Sequence, residues 1–247
     1  MKKIFSLTLL AVVLFAASCS KDKNDNGGPG TKRLKSTTLD ENWSFAYNND
    51  GTLKEITGPS GFKETLTYET GKITVKTFWN DINTAKAEWT ITNGKPVHVV
   101  RSYFDNMGQP SGGNFVDYEF NPKGLLGKVS YDYGGYDEYE YDSNDNLIRI
   151  TSYNDQGIAT FKSEYGYGTQ VDRFPQYSVL RSDTEGFFFP PLSKHLPVSK
   201  KEIPLPANTV NFEMTYNYEL DADGYVIKGT GTSLNPNYSG YSWVNAY

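Results

Sequence analysis

Residues 139–150 read Tyr139-Glu140-Tyr141-Asp142-Ser143-Asn144-Asp145-Asn146-Leu147-Ile148-Arg149-Ile150. Two aromatic residues one position apart lead into a polar turn, and an aliphatic segment follows it. Alternation of apolar and polar residues is typical of a β-strand with one buried face, and Asp and Asn favour the backbone of tight turns. The stretch therefore predicts a β-hairpin.

Looser copies of this pattern recur along the chain. Two of the distances between their starts, from Phe45 to Leu66 and from Tyr118 to Tyr139, are 21 residues, which is the length of a two-strand unit. We therefore predict an all-β fold, an antiparallel meander of consecutive hairpins that forms a strongly twisted single sheet or an open or half-closed barrel. A two-sheet sandwich is the alternative. Further copies begin at Trp89, Tyr165 and Tyr216.

Length and composition agree with this fold class. The chain has 247 residues, a length that all-β folds often reach as one domain, and its 19 Tyr, 14 Phe and 23 Gly suit aromatic strands joined by tight turns. The net charge of -5 argues against a surface that neutralises a phosphate backbone. We expect no nucleic acid partner.

The N-terminus carries an export signal. Basic residues at Lys2 and Lys3 precede the apolar segment 4–15, which is too short to span a membrane as a mature helix. The segment ends in Ala16-Ala17-Ser18-Cys19, which resembles the bacterial lipobox, so we predict that residues 1–18 are a signal peptide and that Cys19 is acylated. Cys19 is the only cysteine, and the other interpretations are a free thiol or an intermolecular disulfide.

We expect residues 19–38 to be a lipidated N-terminus and a flexible tether, and residues 39–247 to form a single domain. The charged segment 20–25 resembles the signals that send some Gram-negative lipoproteins to the cell surface. We predict a lipid-anchored protein of the outer membrane that is exposed at the surface, with the periplasmic face of that membrane as the alternative.

The strand pattern lapses between about residues 170 and 208. Prolines in this excursion remove donors from a hydrogen-bond ladder, so the sequence predicts no central strand there. A helical turn near Leu192 to Leu196 is expected instead. The apolar triplet Phe187, Phe188 and Phe189 is either part of the core or a contact surface.

The sequence lacks the common motifs of nucleophilic catalysis and of metal binding. Nucleophile elbows and paired-cysteine sites are missing from the sequence, and its histidines are His98 and His195 alone, so we predict no metal centre and no cofactor. Calcium at the polar loops 142–146 and 221–224 stays open as an alternative, although neither loop has the full pattern of a calcium-binding loop. An enzyme that cleaves glycans would need two facing carboxylates, and the candidates are Asp137, Glu138, Glu140 and Asp142.

The surplus of aromatic residues is the feature most relevant to function. Some rings must fill the core, but the strands around residues 131–141 carry more of them than one buried face requires. Exposed rings beside acids and amides suit stacking on a sugar or contact with an extended peptide. The candidate binding residues are Tyr131, Tyr133, Tyr136, Tyr139 and Tyr141.

Two motifs resemble the YD-repeat type of extracellular β-hairpin array: Tyr141-Asp142 with Asn146-Leu147, and Tyr218 with the segment 221–226. Together with the segment 194–200, they also resemble an uncharacterised family of Gram-negative lipoproteins that are built from such units. The resemblance implies a hairpin array and no catalytic residues. We therefore expect a membrane-anchored binding module for a polysaccharide or an extracellular protein, and no enzyme. A glycan-cleaving enzyme and a purely structural envelope protein are the alternatives.

Overall fold

The computed structural model describes residues 32–38, 42–174, 189–236 and 238–247. These residues form sixteen β-strands and one short 3-10 helix at Pro59–Gly61. The strands are β1 Ser36–Thr37, β2 Trp43–Tyr47, β3 Leu53–Thr57, β4 Phe62–Glu69, β5 Lys72–Trp79, β6 Ile82–Thr92, β7 Lys95–Phe104, β8 Pro110–Phe120, β9 Leu126–Tyr131, β10 Tyr136–Tyr141, β11 Leu147–Tyr153, β12 Ala159–Val171, β13 His195–Pro204, β14 Phe212–Leu220, β15 Val226–Ser233 and β16 Tyr241–Ala246.

Each strand pairs antiparallel with its neighbours in the chain, and the sheet closes into a barrel. The closure is made by β1, in which Ser36 lies opposite Ala246 of β16 on one side and Ser44 of β2 on the other. The predicted all-β antiparallel meander of hairpins is confirmed. The expectation of an open sheet or half-closed barrel is wrong, because the two-residue strand β1 joins the first long strand to the last.

Seven of the described turns share one hydrogen-bonding pattern. In the turn at Asp142, the main-chain N–H of Asp142 donates to the carbonyl of Asn146, and the N–H of Asp145 donates back to the carbonyl of Asp142. A register shift between Glu140 and Tyr141 precedes this turn. The first residue is Asn or Asp in six of them, and in five of these its side chain also accepts main-chain N–H groups of the turn. The other six turns begin at Asn48, Asp105, Asn121, Tyr131, Asn154 and Asp221.

Alternation along the strands separates an apolar inner face from a charged outer face. On the inner face Trp89 pairs with Val99, and the two side chains are 2% and 0% exposed. Leu126 and Leu147 are buried in the same core. On the outer face Glu140, Arg149 and Glu164 lie side by side on three successive strands.

The two ends of the barrel differ. Consecutive strands run in opposite directions, so the turns alternate between the ends. One end, with the turns 48–52, 121–125, 142–146 and 221–225, is filled by Leu34, Phe189 and Leu192, all of which belong to the core. We call it the plugged end. The other end, with the turns 80–81, 105–109, 132–135 and 154–158, carries polar side chains on its inner face, and we call it the polar end.

The excursion contains a strand that the sequence analysis excluded. β13 pairs with both β12 and β14, so the prediction that the prolines prevent a central strand is wrong. Pro197 lies at a register shift opposite Tyr167 and outside the part of the ladder shared with β14, and Pro204 is the last residue of β13. Neither position removes a donor that the ladder with β14 needs. The helical turn expected near Leu192 to Leu196 is also wrong, because His195 and Leu196 already belong to β13.

The ordered domain begins before residue 39. Leu34 is 1% exposed in the core, and the main-chain carbonyl of Leu34 accepts a hydrogen bond of 2.8 Å from the Tyr47 hydroxyl. The predicted signal peptide, Cys19 and most of the tether lie outside the described residues, as do Phe187 and Phe188. Within the described ranges, no helix is long and apolar enough to cross a membrane.

Candidate functional site

The inner face at the polar end combines charged residues with tyrosines. Lys200 of β13 lies opposite Tyr165 of β12 and the buried Met214 of β14, and Glu202 lies opposite Ser163. Residues that lie opposite each other share a face of the sheet. Lys200 and Glu202 therefore point into the barrel, yet their side chains are 26% and 30% exposed, so solvent reaches this part of the interior.

Lys200 and Glu202 form an ion pair of 2.6 Å. Burial lowers the pKa of Lys200, but the hydrogen bond to Glu202 and the charges of Glu202 and the neighbouring phenols together outweigh this effect, so the pKa is raised. Burial also raises the pKa of Tyr165 and that of Tyr216, which lies on the same inner face of β14. Both phenols are therefore neutral donors and acceptors beside a charged pair.

A second polar contact lies further around the barrel. Asp137 of β10 pairs with the buried Val129 of β9 and therefore faces inward. Its carboxylate accepts a hydrogen bond of 2.7 Å from the Tyr131 hydroxyl. The pKa of Tyr131 is raised by burial and, to a smaller extent, by this contact with Asp137.

The five predicted binding tyrosines do not form one platform. Tyr131, Tyr139 and Tyr141 point inward and pack against the core. Tyr136 lies on the outer face, where its ring stacks on Tyr153 with the ring centroids 4.6 Å apart. Tyr133 is 69% exposed in the turn at the polar end and stacks on Tyr131 at 5.2 Å. The polar end therefore brings together Tyr131, Tyr133 and Tyr139 of this set.

Three further rings, which were not among the predicted binding residues, lie on inner-face positions where strands begin or end at the polar end. They are Trp79, Tyr103 and Tyr241, which are 43%, 38% and 36% exposed. Trp79 shares a face with the buried Ile73 and Val75 in the alternating pattern of β5. Its position at the end of that strand, directly before the turn 80–81, was a sequence signal that the ring lies on the rim.

Other inward polar residues continue the lining around the barrel. Glu64 of β4 receives a hydrogen bond of 3.0 Å from the Thr77 hydroxyl, and Asn114 of β8 donates one of 3.2 Å to Tyr103. Arg101 of β7 lies opposite Asn114, with its guanidinium carbon 5.8 Å from the centre of the Trp89 ring. The lining therefore contains charges of both signs, amides and hydroxyls among aromatic rings.

The candidate carboxylates of a glycosidase lie on different surfaces. Asp137 faces inward, whereas Glu138 and Glu140 lie on the exposed outer face, and Glu140 contacts Arg149 at 3.1 Å. Asp142 lies in the turn at the plugged end, where Oδ1 accepts from the N–H groups of Asn144 and Asn146. These four carboxylates do not converge on one cleft.

The candidate calcium loops and the histidines have other partners. In the loop 221–224, Lys32 contacts Asp221 at 2.6 Å and Asp223 at 2.7 Å. His98 Nδ1 lies 2.7 Å from Asp117 on the outer face. Among the residues that the structure describes, no group of three or more His, Cys, Asp or Glu side chains is placed to hold a metal ion.

This arrangement suits the non-covalent binding of a ligand. Tyrosine and tryptophan rings offer flat apolar surfaces, and the Lys200–Glu202 and Asp137–Tyr131 pairs offer fixed donors and acceptors nearby. The mouth of a β-barrel is a common place for a ligand site of this composition.

Comparison with known proteins shows a related fold. No family model and no curated protein matches the sequence. The chain is similar to the crystal structure of a porin-like protein from Bacteroides uniformis, with 14% identity, a TM-score of 0.63, and coverage of 87% of this chain and 98% of that chain. A porin-like protein from Bacteroides vulgatus is 13% identical with a TM-score of 0.58, over 87% of this chain and 99% of that chain. The chain shares the fold of these barrels.

Proposed function

We propose that the protein is a lipid-anchored lipoprotein of the outer membrane that binds an extracytoplasmic ligand at the polar end of its barrel. The observation that carries this proposal is the partly exposed inner face around Lys200, Glu202 and Asp137, where charged pairs and tyrosines occur together. The plugged half is closely packed instead, with Leu34, Leu147 and Phe189 buried in the core.

The outer face supports a barrel that lies outside the bilayer. A ladder of alternating charge crosses five strands, with Glu140, Arg149, Glu164, Lys201 and Glu213 as successive neighbours. A transmembrane barrel needs an apolar outer band about 25 Å tall, and a basic residue that faces lipid at the midplane costs about 2–4 kcal/mol. Membrane attachment therefore falls to the predicted acyl chains on Cys19, since more than one chain gives stable anchoring.

A neutral oligosaccharide is the ligand class that the lining fits best. The charges at Lys200 and Glu202 neutralise each other, so the site offers little net attraction to an anion or a cation. Hydroxyls, amides and paired carboxylates can exchange hydrogen bonds with sugar hydroxyls, while the rim rings stack on the apolar faces of pyranoses. An extended segment of an extracellular protein is the second class, because exposed rings also contact peptides.

Thermal shift and titration against pools of neutral glycans and matrix proteins, with and without calcium, would test the proposal. We expect a specific rise in Tm with a glycan pool, and at least a ten-fold loss of affinity in Glu202→Gln. The matched control is Glu140→Gln, which removes a charge from the outer face and should bind as the parent does. A rise with matrix protein alone would assign the second ligand class.

The structural alternative makes a different prediction. A purely structural envelope protein would show no shift with any pool, and Glu202→Gln and Glu140→Gln would behave alike. That result would contradict the binding proposal and would leave the inner tyrosines with a role in packing alone.

A further inference from the structure

We infer that the plugged end of the barrel faces the lipid bilayer and that the polar end points away from it. The inference rests on the lipid anchor proposed above, and it adds the surface that lies against the membrane. It follows from the route by which the chain enters the barrel between residues 32 and 37.

The first described residues are fixed at the plugged end. Lys32 forms ion pairs with Asp221 and Asp223 in the turn that joins β14 to β15, and its main-chain N–H donates to the Tyr225 hydroxyl at 3.2 Å. These contacts hold the chain against the outside of that turn before it enters the barrel.

Contacts of the next residues fix the point at which the chain enters the barrel. Arg33 lies over the Tyr47 ring, with its guanidinium carbon 5.6 Å from the ring centre, and Leu34 is buried in the core. Ser36 and Thr37 then pair with both β16 and β2. The entry point is thus set by ion pairs, packing and main-chain pairing, and it cannot move to the other end without opening the barrel.

The distance between Cys19 and the point where the chain enters the barrel bears on the orientation of the barrel at the membrane. Cys19 and Lys32 are 13 positions apart in the sequence, with twelve residues between them, and a chain of this length spans at most about 45 Å when fully extended. An 11-residue strand such as β8, tilted as barrel strands are, rises about 28 Å along the barrel axis. Because the chain leaves the barrel at the plugged end, about 28 Å from the polar end, an anchor on Cys19 draws the plugged end toward the membrane.

Single-cysteine labelling of the full-length lipoprotein in vesicles tests this orientation. Cys19 is the only cysteine and is consumed by acylation on the proposed route, so an introduced thiol is unique. Asn49→Cys and Lys123→Cys place a fluorophore on exposed turns at the plugged end. Met107→Cys and Ile158→Cys place it at 84% and 61% exposed positions at the polar end.

The readout is quenching by a lipid that carries a nitroxide on its headgroup, with flotation of the same samples as a separate measure of anchoring. We expect both plugged-end labels to be quenched at least two-fold more strongly than both polar-end labels. Equal or reversed quenching in protein that floats with the vesicles would overturn the orientation and leave the anchor intact. Failure of the acylated chain to float would overturn the anchor, and the orientation with it.

Discussion

Asn146 connects a hairpin turn to the segment that fills the plugged end. Its side chain is 2% exposed, and Oδ1 accepts the main-chain N–H groups of Lys194 at 3.0 Å and His195 at 3.1 Å. Nδ2 donates to the Asp142 carboxylate at 3.0 Å. One amide therefore satisfies donors from a segment that is 48 residues away in the chain.

We expect Asn146→Ala to lower the free energy of unfolding by about 2–3 kcal/mol, because it leaves buried N–H groups without an acceptor. The control is Asn144→Ala at an exposed position of the same turn, which should change the free energy by less than about 0.5 kcal/mol. Denaturant titration of both variants checks this. Equal losses would show that the amide of Asn146 does not hold the excursion.

Asp172 gives the fold a dependence on pH. The carboxyl is buried at the start of the excursion, and burial raises its pKa to about 7, against the smaller opposing effect of a hydrogen bond from the Phe174 N–H. Burial raises the pKa of Tyr218 and of Tyr247, and the charge of the nearby Asp172 adds to this effect. No described residue provides a hydrogen-bond partner for Oδ2.

The direction of the pH dependence follows from the difference between the pKa of Asp172 in the folded state and its pKa in the unfolded state. The unfolded carboxyl has a pKa of about 3.9, so between that pH and 7 the unfolded state binds fewer protons than the folded state and stability falls as pH rises. We expect the free energy of unfolding to drop by about 2–3 kcal/mol between pH 5 and pH 8 from this group. Asp172→Asn should remove that part of the drop. A variant with the parent's pH profile would show that Asp172 is ionised when folded.

At the scale of elements, the two-residue strand β1 is what closes the barrel. It supplies the pairing between β16 and β2, and Leu34, two residues before it, fills the core beside Tyr47. The Thr37 hydroxyl also donates to Asn245 of β16 at 2.6 Å. The N-terminal segment is thus the closing element of the barrel.

Leu34→Ala should therefore destabilise the barrel by about 2–5 kcal/mol, as large-to-small changes in a core do. Lys35→Ala changes the next residue, which is exposed, and should cost less than about 0.5 kcal/mol. Thermal or chemical unfolding measures both. A Leu34→Ala protein as stable as its control would mean that the segment 32–37 is not needed for closure.

The hairpins could be predicted because their signals are local. Alternation over six or more residues and an Asn or Asp at the turn identify β5, β10 and β14 without knowledge of their neighbours. β1 is too short for any alternation to show, and β13 is hidden by prolines whose positions are harmless only in the actual register. The closed barrel could not be predicted, because closure depends on a pairing between the two ends of the chain.

The candidate site was predicted only in part, because the grouping of its residues depends on strand pairing that local sequence signals do not show. Tyr131, Tyr133 and Tyr139 do lie at the polar end, but Tyr136 points outward and Tyr141 lies in the other half of the strand. Lys200 and Glu202 were not identified, because they lie in the proline-rich region where no strand was expected. Their grouping with Tyr165 and Tyr216 is set by the register of three strands.

At the scale of the whole molecule, the barrel has an apolar core, a polar lining at one end of its interior, and a ladder of alternating charge on the outer face of β10 to β14. A transmembrane barrel presents an apolar band to lipid instead. The charged ladder supports the proposal of a folded domain that is held at a membrane by the predicted anchor on Cys19, and the polar end is then the surface proposed to contact a ligand.

The most direct test of this account is the unfolding of the chain from residue 20 onward, which lacks Cys19 and its acyl chains, in buffer without detergent. We predict a β-rich monomer that sediments as a single species and unfolds cooperatively on heating. A chain that aggregates without detergent and acquires its β-structure only in micelles or bilayers would contradict the account, because it would show that the outer face is built to contact lipid.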